Sequence, residues 1–162
     1  MRKFIFYLYI YIVFCLLQFF FSQYLNIFEI YPNFILIFVV CAGLLRGSLN
    51  AQLAGFVFGI TWDIFSTDVF ATRALLFTIL GYCSGKLRKN FDEDSIIFQS
   101  AIIFVASLVY SLGVYLINCS VIQYILVYNF NVVLIKNIFQ ILINVAAALC
   151  VFYVLKRYFK EV

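Results

Sequence analysis

Six apolar runs account for most of this chain: Phe4–Phe21, Phe34–Leu45, Leu49–Ile64, Phe70–Gly85, Ile96–Ile117 and Val132–Leu155. Only Asp63, Arg73 and Lys136 carry charge inside them. A helix needs about 20 apolar residues to cross the hydrocarbon of a bilayer. A fold in water needs enough polar surface to cover itself, and here 67% of residues are hydrophobic and only 11% charged. Ordinary soluble domains carry about 25% charged residues. A soluble domain, a disordered tail and a fibrous repeat are therefore excluded. The pattern predicts an all-α integral membrane protein with six transmembrane helices, at about 4–21, 34–45, 49–64, 70–85, 96–117 and 132–155. Six spans use roughly 120 residues and leave roughly 40 for loops. We therefore expect 1–162 to form a single polytopic membrane domain with no second, soluble one.

The residues that are missing narrow the chemistry. There is no histidine, which removes Ser-His and Cys-His pairs and His-liganded metal or haem. The cysteines Cys15, Cys41, Cys83, Cys119 and Cys150 lie in or beside apolar runs, form no CxxC pair and are odd in number. They read as reduced, buried small hydrophobes. No Gly-rich phosphate loop occurs. The sequence thus predicts no enzyme, no cofactor and no metal. The formal charge of +4 does not indicate nucleic acid, because the basic residues sit at the ends of apolar runs, where they set orientation.

Arg2 and Lys3 before the first run resemble a signal sequence, but the run is long and Phe21-Ser22-Gln23-Tyr24 is a poor cleavage site, so we read it as a retained span. Glu29, Tyr31, Pro32 and Asn33 make a turn, with Pro32 suited to the first turn of the next helix. Span two is short and stops at Arg46-Gly47; it is expected to tilt little or to lie partly buried among other helices. Ser66, Thr67 and Asp68 join spans three and four. The polar stretch from Lys86 to Ser95 is a surface loop whose Asp94-Ser95 caps span five. Residues 118–131, with Tyr124 and Tyr128, read as an interfacial connection. Six spans place both termini on one side. Arg2, Lys3, Arg46, Lys86, Arg88, Lys89, Lys156, Arg157 and Lys160 then fall on that side, nine of the eleven cations, leaving Arg73 and Lys136 on the other. The bias predicts cytoplasmic termini.

Charge within a bilayer is costly and usually faces protein or water. Asp63 and Arg73 lie at the outer ends of consecutive spans, so we predict an ion pair or a shared hydrogen-bond network. It either fixes the helix hairpin or touches a partner. Arg46, at a span end, reads as an anchor. Gln52, Gly55, Gly59 and Asp63 share one face of span three. Gly55-xxx-Gly59, and Gly81-xxx-Gly85 on span four, let another backbone approach, either within the protein or from a partner helix. Lys136, Gln140 and Asn144 form a stripe on span six that leads to Ala148. Ser100, Ser107 and Ser111 lie on one face of span five. These stripes predict either interhelical hydrogen bonds or a polar pocket between spans three, five and six, lined by Gln52, Ser107, Ser111, Lys136, Gln140 and Asn144.

The stretch Gly55-Phe56-Val57-Phe58-Gly59-Ile60-Thr61-Trp62-Asp63 resembles the GFxxGxxxD signature of the rod shape-determining protein MreD family. Ala74-Leu75, Tyr82 and Gly85 follow at the family's spacing, and Pro32 and the stretch Gly43–Gly47 look like its second span. The resemblance covers about residues 32 to 88, with length and span number agreeing elsewhere. The family usually has Gly where this chain has Ala71 and varies at Arg73. The resemblance implies a bacterial inner-membrane protein of the cell-elongation machinery, associated with a bitopic MreC-like partner, an MreB-like filament and a RodA–penicillin-binding-protein synthase. It also implies the fold of the S components of energy-coupling-factor transporters, and no catalytic residue.

The leading expectation is a non-enzymatic scaffold for lateral peptidoglycan synthesis, with a partner helix held at Gly55, Phe56, Gly59, Gly81 and Gly85 and the surface fixed by Asp63 and Arg73. The alternative is a solute-binding S component of a vitamin transporter. A third reading, a membrane enzyme acting on lipid-linked sugars, has only Glu29, Asp63 and Asp68 as outer-side acids, with no ligand cluster around them.

Overall fold

The computed structural model describes residues 2–24, 31–66, 69–88, 96–122 and 130–160. Among them are six helices: α1 (Arg2–Tyr24), α2 (Phe34–Arg46), α3 (Ser48–Ile64), α4 (Thr72–Leu87), α5 (Ile96–Ile122) and α6 (Phe130–Lys160). Expectations for Glu29, the Thr67-Asp68 link, the Lys89–Ser95 part of the polar loop with its cap, and Tyr124 and Tyr128 lie outside the described residues.

α2 is the centre of the bundle. Every residue from Ile35 to Leu44 is buried, because α1, α3, α4, α5 and α6 all pack against it. At 13 residues it is about 20 Å long, well short of the roughly 30 Å hydrocarbon layer. A helix that protein surrounds on all sides need not match the bilayer. Its unbroken apolar sequence FILIFVVCAGLL reflects that: a helix apolar all round belongs in a core. Pro32 does not enter the first turn, as the sequence had implied. Asn33 takes the N-cap, its side chain accepting the Leu36 N–H, so the proline precedes the helix.

α2 and α3 are joined by Gly47 alone, with φ +92°. Only glycine holds that left-handed geometry without strain, and its N–H closes α2 by bonding to the Gly43 carbonyl. α3 and α4 then form an antiparallel hairpin at near backbone contact. A Cβ on Gly55 would stand 2.6 Å from the Phe77 carbonyl oxygen, and one on Gly59 2.2 Å from the Ala74 Cα. From the other side, a Cβ on Gly81 would stand 2.7 Å from the Ala51 carbonyl oxygen, and one on Gly85 2.2 Å from the Ser48 Cα. Each GxxxG stripe therefore faces the other helix of the hairpin, Gly55 and Gly59 against Phe77 and Ala74 and Gly81 and Gly85 against Ala51 and Ser48, and small residues give the contact its closeness.

The outside is apolar. Leu16 and Phe19 on α1, Leu53 on α3, Ile97 and Leu116 on α5 and Phe139 on α6 all stand exposed. Soluble monomers rarely expose apolar patches of more than a few hundred Å², whereas a hydrocarbon solvent accepts such a surface. Ile97–Ser120 in α5 and Ile135–Lys156 in α6 are long and apolar enough to cross a membrane; Tyr9–Tyr24 and α2 are shorter apolar helices. Of the cysteines, only Cys41 is fully buried; Cys83 and Cys150 are exposed on this apolar surface, so their expected burial within the protein does not hold. α5 continues to Ile122, beyond the predicted end at 117. Asn118 does not end the helix because it turns inward, where it is buried.

Candidate functional site

Two features stand at the same end of the bundle: an anchored turn between α3 and α4, and a polar cavity behind it. The anchor is Asp63, 2% exposed. Its Oδ1 accepts the Arg73 N–H at 3.2 Å and its Oδ2 the Ala74 N–H at 3.0 Å. The Arg73 Nη1 lies 3.5 Å from Oδ1. The N-cap of α4 is Ala71, which has no side-chain oxygen. Asp63 therefore caps α4 from the neighbouring helix, satisfying two first-turn amides that have no partner within α4. Its negative charge also complements the positive helix end. Ala71 itself has φ +69°, a left-handed geometry that a Cβ opposes by about 1–2 kcal/mol.

The cavity has a volume of about 340 Å³ and is bounded by Gln18 of α1, the segment before α2, Trp62 of α3, Arg73 and Phe77 of α4, and the facing parts of α5 and α6. Ser107, Ser111, Lys136, Gln140 and Asn144 line it. Gln52 does not. It stands ten residues before Trp62, about 15 Å along the helix, towards the other end of the bundle. The shared face with Gly55 and Gly59 is real, but that face meets α4 rather than the cavity.

Part of the lining holds the start of α2. The Asn33 N–H donates to the Asn144 Oδ1 at 2.7 Å, and the Phe34 N–H donates to the Gln18 Oε1 at 2.8 Å. The Gln140 Nε2 donates to the Tyr31 carbonyl at 2.9 Å, and the Asn144 Nδ2 donates to the Ser107 Oγ at 3.2 Å. A helix end buried in an apolar bundle needs such partners. Three residues in this network were not expected in it: Gln18, which was given no role, and Tyr31 and Asn33, which were read only as a turn. Gln18 carried a signal, since it is the only amide in the Phe4–Phe21 run. Tyr110 and Tyr115 in the wall carried none, because Phe and Tyr are everywhere in this chain, and Trp62 was read only as part of the GFxxGxxxD stretch.

The expected partner surface needs correction. Gly55, Gly59, Gly81 and Gly85 are occupied by the α3–α4 contact, so a partner helix cannot reach them while the hairpin is closed. Asp63 is buried, and the Arg73 side chain is only 13% exposed. Of the proposed docking residues, Phe56 alone points outward, half-exposed on α3.

An all-helical bundle with an apolar outside, a backbone-tight helix hairpin and an interior polar cavity is a membrane protein. A family model described as rod shape-determining protein MreD matches residues 2–162. The chain belongs to that family, one of shape-determining structural proteins, and so has a role in determining rod shape as part of the rod-shape complex. No curated protein and no solved structure matches.

Proposed function

We propose that this chain is a non-enzymatic membrane scaffold of the bacterial cell-elongation complex. It binds an MreC-like bitopic protein and, through it, an MreB-like filament and a RodA–penicillin-binding-protein synthase, and so supports lateral peptidoglycan synthesis. The observation that carries this reading is the family match along the whole chain. The site geometry agrees in kind: its polar groups cap helices and close a hairpin, which is how a rigid support is built. The family match lends nothing to the S-component alternative.

In this reading the chain is one polytopic domain of six spans in the inner membrane, with both termini cytoplasmic. Charge placement supports that orientation. Arg46, Lys86, Arg88 and Lys156 end their helices at one side of the bundle, and Arg73 and Lys136 lie at the other. Lys86 sits over the Tyr82 ring at 4.5 Å, and its hydrogen bond to Tyr82 raises its pKa, so it stays cationic at the membrane surface. The accessible part of the GFxxGxxxD segment is the outward face of α3, with Phe56 and Val57 exposed and Leu53 exposed just before them, and we place the partner helix there.

In-cell crosslinking followed by purification of the tagged protein and mass spectrometry tests the function. An MreC-like bitopic protein with cell-wall synthases is the expected result. Recovery of ABC-type ATPases with a second multi-span protein would overturn it. Phe56→Ala should reduce capture of the bitopic partner while leaving the protein's own melting temperature nearly unchanged.

A further inference from the structure

The scaffold reading does not account for the cavity. Arg73 and Lys136 line it, but both are already engaged, Arg73 with Asp63 and Lys136 in an interaction of its own. What the lining leaves unspent is neutral. Gln18, Asn33 and Gln140 each commit one end of their amide to the backbone at or just before the start of α2. The other ends, the Gln18 Nε2, the Asn33 Nδ2 and the Gln140 Oε1, make no hydrogen bond among the described residues. The side chains of Ser111 and Asn137 line the same cavity and make none either. Gln18 and Asn33 are buried, and buried donors are costly to leave without acceptors. The ring surface is equally particular. Phe77 and Tyr110 stack on each other, with centroids 5.1 Å apart and planes 9° from parallel, so no slot is open between them for a flat aromatic ring. Trp62 lines the cavity and takes part in no ring contact among the described residues.

We propose that this cavity binds an uncharged sugar ring. A hydroxyl both donates and accepts, so a rim of hydroxyls satisfies donors and acceptors mixed as they are here. The Gln18 and Asn33 amides donate, the Gln140 carbonyl oxygen accepts, and Ser111 and Asn137 do both. The C–H face of a sugar carries the small positive charge that suits the electron-rich face of an indole, which Trp62 supplies. The lining does not call for an anion, because neither cation lacks an interaction, and a flat heterocycle finds no slot. A volume of about 340 Å³ lies within the usual range for small-molecule sites. The sugar comes either free from solution or as the headgroup of a glycolipid; the chemistry at the amides and the indole is the same. This inference goes beyond the scaffold reading and does not depend on it.

Trp62 is the only tryptophan in the chain, so its fluorescence reports on this cavity alone. One arm titrates the protein, purified in a detergent without a sugar headgroup, with methyl glucoside and with N-acetylglucosamine. The other compares phosphatidylcholine nanodiscs with and without monoglucosyl diacylglycerol. We expect a saturable change in Trp62 emission in at least one arm. Cyclohexanol, a ring with a single hydroxyl, should give none over the same concentrations. Asn137→Leu should weaken the response by about tenfold, since it removes a donor and an acceptor together. Lys86→Gln, at the opposite end of the bundle, should leave it in place. A response to a free sugar identifies the soluble source, and a response to the glycolipid alone identifies the headgroup. Flat emission in both arms overturns the proposal, as does an unchanged midpoint in Asn137→Leu or an equal response to cyclohexanol. Should Asn137→Leu fail to give a monodisperse protein, Ser111→Ala makes the same comparison. The wild-type titration stands whether or not any partner is captured in cells.

Discussion

Ala71 holds a left-handed backbone angle that its β-carbon opposes. Ala71→Gly should relieve about 1 kcal/mol, partly offset by the greater freedom of glycine in the unfolded chain. The measurement is the melting temperature of the detergent-solubilised protein, which is expected to rise by a few degrees. Asp63 makes the opposite case. Asp63→Ala removes the cap of α4 and a counter-charge of the partly buried Arg73 together, and should lower stability by about 3–5 kcal/mol. Asp63→Asn keeps an acceptor for one amide, so its loss should be smaller; equal losses in the two variants would count against capping as part of the role. The meeting of Asp63 and Arg73 was legible in the sequence, because two helices joined by a short link bring their ends together. The capping was not. Backbone amides are common to every residue and leave no mark in a sequence, so a carboxylate that holds them looks the same as one that holds a side chain.

Among the elements, the α3–α4 hairpin and α2 show how the same apolar code carries different outcomes. Spacing alone placed Gly55 and Gly59 on one face, but spacing does not name the neighbour. The structure supplies α4, whose own glycines return the contact. Gly59→Ala sets a methyl group against backbone, 2.2 Å from the Ala74 Cα. Gly113→Ala meets only the tip of the Leu76 side chain at 2.6 Å, which can turn aside. Overpacking typically costs about 1–3 kcal/mol. We expect Gly59→Ala near or above the top of that range and Gly113→Ala near the bottom, read from paired melting curves. Comparable losses would show that the hairpin can open without penalty. Gln52 was misplaced for a related reason: a helical face is a direction and not a depth. The brevity of α2 left open either little tilt or partial burial, and the structure shows burial along Ile35–Leu44. Which helices surround it was not readable, since apolar side chains do not specify their partners.

The whole molecule is tied together by polar bonds that join residues more than a hundred positions apart. Asn144 on α6 accepts from Asn33 and donates to Ser107, joining the last helix to the start of the second and to the fifth. Asn144→Leu should leave the Asn33 N–H buried without its acceptor, at about 1–3 kcal/mol. The same change should loosen the cavity wall, so its melting curve is expected to broaden as well as shift. Six helices and a polar stripe on the last of them could be read from the sequence, but not that the stripe reaches the central helix. Loop lengths and hydropathy record neighbours in the chain, and these bonds join residues more than a hundred positions apart. That separation has a consequence for synthesis. The central helix emerges from the ribosome early, too short to span a bilayer comfortably by itself and with the Asn33 N–H at its start still lacking its acceptor. The groups that complete it on α6 are made only after α3, α4 and α5. Until then the nascent chain holds a half-finished core in the lipid, so a ribosome stalled before α6 should leave a product that membrane quality control recognises and degrades.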